Sequence, residues 1–286
     1  MKLLSSLSPL TLAVTLALSG CMNIPVSESN LLGGRKAELI SDRIVRSNLE
    51  LTLPDAPGQS LHGWHLKHPA PKATLVYFYG GGGSLWNSGR HLHEIAQQLE
   101  VDVVAYDVRG SGASGGKPSF AAVRADALRI FDAARRPDLP TLVMGYSLGS
   151  VSAIHLAANR PVDGLAVLAG VSSFADAQPA FEARVPWYAK PFVKLEIEPV
   201  FHTKPQPVDE MARVKAPTFL IHGDADEQLP VVCGDRLAEA NKASWKRYQR
   251  LNGIGHGNLP LFNADNKAAL QSWVMAAQKV RQVSAP

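Results

Sequence analysis

A serine, an aspartate and a histidine occur along this chain in an order that suits nucleophilic catalysis. Gly145-Tyr146-Ser147-Leu148-Gly149 closes a short aliphatic run and opens a helical one. A serine held between two glycines on such a turn is pushed out of the sheet with its hydroxyl exposed. The glycines matter because a Cβ at either position would collide with the neighbouring strand and helix. The helix amino terminus beneath adds a field that favours a developing anion. A serine hydroxyl also needs a base, and the base needs an acid to orient it. Downstream, Ile221-His222-Gly223-Asp224-Ala225-Asp226 ends another aliphatic run. Either carboxylate could face the serine. Asp226 lies further past the strand and is assigned as the acid, with Asp224 read as a turn former. Ile254-Gly255-His256-Gly257-Asn258 then sets a glycine-flanked histidine on a late loop. The expected set is Ser147 as nucleophile, Asp226 as acid and His256 as base.

These residues need a rigid frame. Thr74 to Tyr79, Val101 to Asp107, Thr141 to Gly145, Leu165 to Ala169 and Pro217 to His222 are short, aliphatic and bounded by Gly, Pro or Asp, so they read as buried strands. Arg90 to Leu99, Phe120 to Ala134, Leu148 to Ala158, Val231 to Ala240 and Asn266 to Val280 have helical spacing. Such alternation predicts a mostly parallel sheet with helices on both faces. Lys36 to Leu53 and Leu61 to His68 alternate more and predict an antiparallel start. Residues 172–215 break the pattern with six prolines and interleaved aromatics, and read as irregular helices forming a cap over the sheet edge. An insertion there could shape a pocket or only cover core.

An acyl-transfer site also needs donors for the oxyanion. The Leu148 N–H follows the nucleophile and is one. The second is assigned to Gly81, in the Gly80-Gly81-Gly82-Gly83 loop after the first parallel strand. Losing one such donor typically costs ~3 kcal/mol of transition-state stabilisation. Other motifs carry less. Gly110-Ser111-Gly112-Ala113-Ser114-Gly115 spells a dinucleotide fingerprint, but Lys117-Pro118 interrupts before any helix. No Gly-Lys-Ser/Thr ends the run at 80–83, so it is not a phosphate loop. His91 and His93 are next-but-one on a helix and point apart, so no metal site is expected. His222 ends a buried strand, where a hydrogen-bonded structural role is the default. Cys233 reads as a small packing residue.

From about Thr74 to Pro260 the chain resembles the α/β-hydrolase branch that contains Bem46-like proteins and acyl-protein depalmitoylases. Tyr106-Asp107-Val108-Arg109-Gly110-Ser111-Gly112-Ala113-Ser114-Gly115 is similar to that branch's Asp-Tyr-Arg-Gly-Tyr-Gly-x-Ser-x-Gly stretch. Gly145 to Gly149, and Gly223-x-x-Asp226 with Leu229-Pro230, match as well. The resemblance implies an α/β-hydrolase fold and cleavage of an ester or thioester through an acyl-enzyme, without a cofactor. The branch usually has His-Gly where this chain has Tyr79-Gly80. Either the Tyr79 hydroxyl holds the oxyanion loop or the loop sits differently. Two rival readings are a peptidase of the same fold, for which no acidic cluster is evident, and a non-catalytic scaffold.

The amino terminus has a separate logic. Lys2 precedes an apolar run, Leu10 to Leu18, that is too short for a comfortable membrane span. Leu18-Ser19-Gly20-Cys21 resembles the bacterial lipoprotein signal. That implies cleavage after residue 20 and acylation of Cys21, with residues 21–35 as a flexible tether and 36–286 as the hydrolase domain. Several acyl chains anchor far better than one, at ~0.8 kcal/mol per buried methylene. Met22, rather than Asp, resembles the class sorted to the outer membrane in a Gram-negative host. With Cys21 acylated, Cys233 has no disulfide partner. The formal charge of +4 comes from scattered basic residues without interleaved aromatics, so nucleic acid is not an expected partner. The expected partners are a small acyl ester or thioester and a membrane surface in the cell envelope.

Overall fold

The computed structural model describes residues 22–26 and 44–284. The predicted signal, Cys21 and the rest of the predicted tether lie outside the described residues. Within them, an eight-stranded sheet runs β10-β9-β7-β6-β4-β5-β3-β2. β2 (Val45–Thr52) and β3 (Ser60–Lys67) form an antiparallel pair, and β3 joins β5 (Asp102–Tyr106) antiparallel. β4 (Thr74–Phe78), β5, β6 (Thr141–Tyr146), β7 (Gly164–Leu168), β9 (Thr218–Gly223) and β10 (Lys246–Leu251) are parallel to their neighbours in that group. Strand order reverses about β4, which lies between β5 and β6. The carboxyl ends of β4 and β6 therefore sit side by side at a topological switch point, where such sheets form their sites.

The period-2 pattern of the strands decides the two faces. Leu75, Tyr77, Leu142, Met144, Ala166, Leu168, Phe219 and Ile221 point to one side. There they meet α1 (Leu85–Leu99) and α7 (Ala264–Ser284), with Trp273 fully buried between. Val143, Leu165, Val167 and Leu220 point to the other. α2 (Phe120–Ala134), α3 (Gly149–Asn159) and α6 (Val232–Ala240) cover that side.

Several boundaries depart from the expectations. α1 begins at Leu85 rather than near Arg90, because Ser84 and Asn87 cap it reciprocally and Asp107 Oδ1 accepts from the Leu85 N–H at 2.7 Å. β10 was not expected. Lys246, Arg247 and Arg250 make it polar, and as an edge strand it needs apolar residues on little of its surface. Residues 172–215 hold α4 (Phe174–Ala183), α5 (Pro207–Met211), two 3₁₀ turns and also a strand, β8 (Val193–Ile197). β8 pairs in parallel with β1 (Met22–Val26), so part of the predicted tether is extended and paired. Its sequence, Met-Asn-Ile-Pro-Val, contains the β-branched residues such pairing favours.

One ion cluster ties the first hairpin to the sheet. Arg109 follows β5, and its side chain is only 5% exposed. It grips Asp126 of α2 with two bonds of 2.6 and 2.8 Å, and Asp55 of the β2–β3 turn with two of 2.6 and 2.9 Å. These carboxylates hold the guanidinium above its ordinary pKa. Asp126 is as buried as Arg109, and without that cation it keeps only the longer contact to Arg129, at 3.3 Å. Replacing Arg109 with Met is expected to cost about 3–5 kcal/mol, read as a lowered urea midpoint.

Candidate active site

Ser147 stands at the turn between β6 and α3, with φ of +52°. Non-glycine residues rarely adopt this left-handed conformation, and holding it requires support from the surroundings. The support is visible. The Ser147 N–H donates to the Leu168 carbonyl at 2.8 Å, and the Ser147 carbonyl accepts from the Ser150 N–H at 3.0 Å. A Cβ on Gly149 would lie 2.3 Å from the carbonyl oxygens of Phe78 and Tyr79. One on Gly145 would lie 2.7 Å from the Ala153 methyl and the Gly149 carbonyl. Only glycine at both positions lets α3 sit this close to the sheet.

The three sequence-assigned residues meet. His256 Nε2 lies 2.9 Å from Ser147 Oγ, and His256 Nδ1 lies 2.6 Å from Asp226 Oδ2. Burial of Asp226 favours its neutral form. Hydrogen bonds from His222, His256 and the Leu229 N–H outweigh that and hold the carboxyl well below the usual carboxylate range. An ionised carboxylate only accepts, so Nδ1 carries the imidazole proton. That leaves Nε2 bare to accept from the Ser147 hydroxyl. Asp226 Oδ1 accepts from the N–H groups of Gln228 and Leu229, both at 2.8 Å, which fixes the carboxylate plane. Asp224 is exposed and accepts from the Gly253 N–H at 2.7 Å, bracing the turn without facing the serine.

Two further residues complete the arrangement. Tyr146 is a wildcard position in the serine motif, yet its hydroxyl donates to the His256 carbonyl at 3.0 Å. Its ring lies 5.3 Å from the imidazole. His222 is buried, with Nε2 2.9 Å from the Leu229 carbonyl and 3.4 Å from Asp226 Oδ2. The carbonyl can only accept, so Nε2 carries the proton and shares it with the carboxylate. The sequence marked His222 as structural. Its register in β9, four residues before Asp226, was the available signal for this second contact.

Gly80, Gly81 and Gly82 line a cavity of about 580 Å³ together with Ser147, Leu148 and His256. Tyr79 lies beneath this loop. Its ring meets Tyr77 edge-on at 5.5 Å, and its hydroxyl is buried without a hydrogen-bond partner among the described residues. Of the two options for Tyr79, the hydroxyl is therefore not what holds the loop; its ring and Cβ pack there instead. A Cβ on Gly83 would come within 2.5 Å of the Tyr79 Cβ. The Gly110–Gly115 stretch curls about Asp107, whose Oδ2 lies 1.8 Å from where a Gly112 Cβ would stand. Cys233 is buried against Ala177 and Leu229, and burial raises its thiol pKa. His91 packs edge-on against Tyr77.

The cap residues Phe174, Phe181 and Phe201 wall the cavity, joined by Phe120 of α2, whose ring meets Phe201 edge-on at 5.4 Å. Phe174 and Phe201 are in direct ring contact, with centroids 4.6 Å apart. Residues 172–215 thus shape a pocket as well as covering core. Arg124 and Arg184 also line it, and among the described residues no carboxylate does.

A family model described as serine aminopeptidase, S33, matches residues 69–210. That span holds Ser147 and stops short of Asp226 and His256. An uncharacterised Mycobacterium tuberculosis protein, MT2364, is 25% identical over 225 residues, covering 77% of this chain and 76% of its own. The lysophosphatidylserine lipase ABHD12 of Xenopus tropicalis is 25% identical over 194 residues, covering 64% of this chain and half of its own. The structure superposes on the Pyrococcus furiosus esterase Pf2001 with a TM-score of 0.66 at 18% identity, covering 86% of this chain and 97% of that one. The chain has the α/β-hydrolase fold. In that fold the turn after the strand equivalent to β6 is the position of a nucleophile elbow, and Gly145 to Gly149 stand there.

The α/β-hydrolase elbow should tolerate little. Gly149→Ala is expected to cost about 3 kcal/mol, because the colliding atoms are backbone carbonyls. Gly82→Ala, at φ of +71° with open space around its Cβ, should cost only about 1–2 kcal/mol. Paired urea titrations of the two variants check the contrast.

Proposed function

We propose that this chain is a serine hydrolase that cleaves carboxylic esters or thioesters through an acyl-enzyme on Ser147. The observation that carries the reading is the continuous hydrogen-bond chain Asp226–His256–Ser147 opening into an apolar, aromatic-walled cavity. His256 Nε2 takes the Ser147 proton as Oγ bonds to the acyl carbon. The carbonyl electron pair moves onto oxygen, towards the N–H groups of Gly81 and Leu148. As the intermediate collapses, the leaving alcohol or thiol takes the proton back from His256. Water then repeats the sequence, releasing the carboxylic acid and restoring Ser147. Asp226 stays ionised and stabilises the imidazolium that forms twice per cycle.

The similarity to an esterase fold and to a lysophosphatidylserine lipase supports an ester substrate with an apolar acyl group. The Tyr106–Gly115 stretch favours the Bem46-like branch within that fold. The family description names an aminopeptidase, which makes peptide cleavage the second reading. A peptide amino terminus is cationic and needs acceptors, whereas the charged groups lining this cavity, besides His256, are two arginines. That disfavours the peptidase. A non-catalytic scaffold would have no need of the aligned histidine.

Ser147→Ala should lower kcat for p-nitrophenyl butyrate by about 10⁴-fold or more. It should also abolish labelling by a fluorophosphonate probe while leaving the urea midpoint unchanged. Undiminished hydrolysis would sink the assignment, and faster turnover of aminoacyl p-nitroanilides than of esters would favour the peptidase.

We also propose that Cys21 is acylated and tethers the enzyme in the bacterial envelope, at the outer membrane in a Gram-negative host. Metabolic incorporation of an alkynyl fatty acid should label the parent and not Cys21→Ala. Equal labelling of both would remove the tether from the reading.

A further inference from the structure

The cap has two aromatic populations. One, led by Phe174 and Phe201, is buried and walls the cavity. The other, Trp187, Tyr188 and Phe192, faces solvent, at 82%, 64% and 48% exposure. These three lie within six consecutive residues, and the Trp187 and Tyr188 rings touch edge-on at 5.9 Å. Ordering large apolar side chains in water gains nothing for the fold. A clustered, exposed aromatic patch marks a surface that meets something else.

We propose that this part of the cap is a bilayer-facing surface, with Trp187, Tyr188 and Phe192 seated among lipid headgroups. Three features of the molecule select a bilayer over a protein partner. Tryptophan and tyrosine are the side chains that settle at the boundary between headgroups and hydrocarbon, with apolar bodies and polar tips. Arg184, Lys190 and Lys194 bracket the cluster, and no acidic residue falls between positions 184 and 194. The nearest acids, Glu182, Glu196 and Glu198, lie outside that span. Long basic side chains beside interfacial aromatics reach anionic headgroups while their stems stay in the apolar layer.

The third feature is the register of β1 on β8. Met22 pairs with Val193, the residue directly after Phe192. Cys21 directly precedes Met22, so the chain enters the structure beside the exposed aromatics. This step rests on the reading of Cys21 as an acylation site. A lipid on that residue would enter the bilayer at the edge of the same patch, and anchor and aromatics would press one face of the cap against the membrane. Arg184 lines the cavity and precedes Trp187 by three residues in the chain. The cavity that ends at Ser147 would then open next to the surface from which an acyl substrate is drawn.

The test uses the chain that begins at Met22, which lacks the acyl site and keeps every described element. It is sedimented with sucrose-loaded vesicles of phosphatidylethanolamine and phosphatidylglycerol. The parent should sediment, and the triple variant Trp187→Ser, Tyr188→Ser, Phe192→Ser should need at least tenfold more lipid for half-maximal binding. Trp187→Ser alone, with its smaller change, should need about threefold more and keeps the test open should the triple variant fold poorly. Both variants should hydrolyse soluble p-nitrophenyl butyrate at the parent rate, since none of the three residues lines the cavity. Equal sedimentation of parent and variants would overturn the surface. Lipid-free dimerisation of the parent that the triple variant loses would overturn it in favour of a second copy as the occupant. Vesicle binding is read without catalysis, so failure of the hydrolase reading would appear in the soluble-ester arm alone.

Discussion

Everything at the candidate site depends on one backbone conformation, the left-handed φ of Ser147. A side chain in that region costs of order 1–3 kcal/mol, and it persists because the neighbours leave no alternative. The Leu168 carbonyl fixes the residue from one side, and α3, drawn in by Gly145 and Gly149, fixes it from the other. The return is positional. The hydroxyl stands above the carboxyl end of the sheet, where loops after β4, β9 and β10 converge. The glycine loop, Asp226 and His256 come from these loops, and each need only be held to a neighbouring strand.

The same logic explains how much could be read in advance. The meeting of Ser147, His256 and Asp226 was legible because a strained turn demands glycines at fixed offsets, and because the carboxylate and the histidine follow in a set chain order. The parallel core strands were legible because burial on both faces makes them aliphatic throughout. β10 was not, since an edge strand needs apolar groups on little of its surface, and its basic residues read as scattered surface charge. The start of α1 was partly hidden, because its local Ser84–Asn87 cap is completed by Asp107, 22 positions from Leu85. Tyr146 and His222 were missed for a related reason. The Tyr146 contact with the His256 carbonyl spans 110 residues and leaves no spacing rule in the sequence, and the four-residue step from His222 to Asp226 becomes a contact only once β9 and its following turn are placed.

The cap shows the limit of composition as a guide. Its prolines and aromatics announced irregular structure near the sheet edge. They did not tell which aromatics face inwards, because that is set by where α4 and α5 land on α3 and α6. Phe174 and Phe201 became wall, while Trp187 and Phe192 did not. The short sheet of β1 and β8 was likewise invisible, as its two strands are about 170 residues apart and neither carries a long alternating run.

β10 has one more property. It ends the large sheet with an open row of backbone donors and acceptors, the usual starting point for one chain to add onto another. Its sequence is Lys-Arg-Tyr-Gln-Arg-Leu; Arg250 is paired with Asp235 and Lys246 donates to the Ala238 and Asn241 carbonyls, which leaves Lys246 and Arg247 as the edge's charges without a carboxylate contact among the described residues. Two such edges approaching one another would bring like charges together before any hydrogen bond formed. Wherever copies of this chain are crowded, the sheet thus resists growing into a fibre.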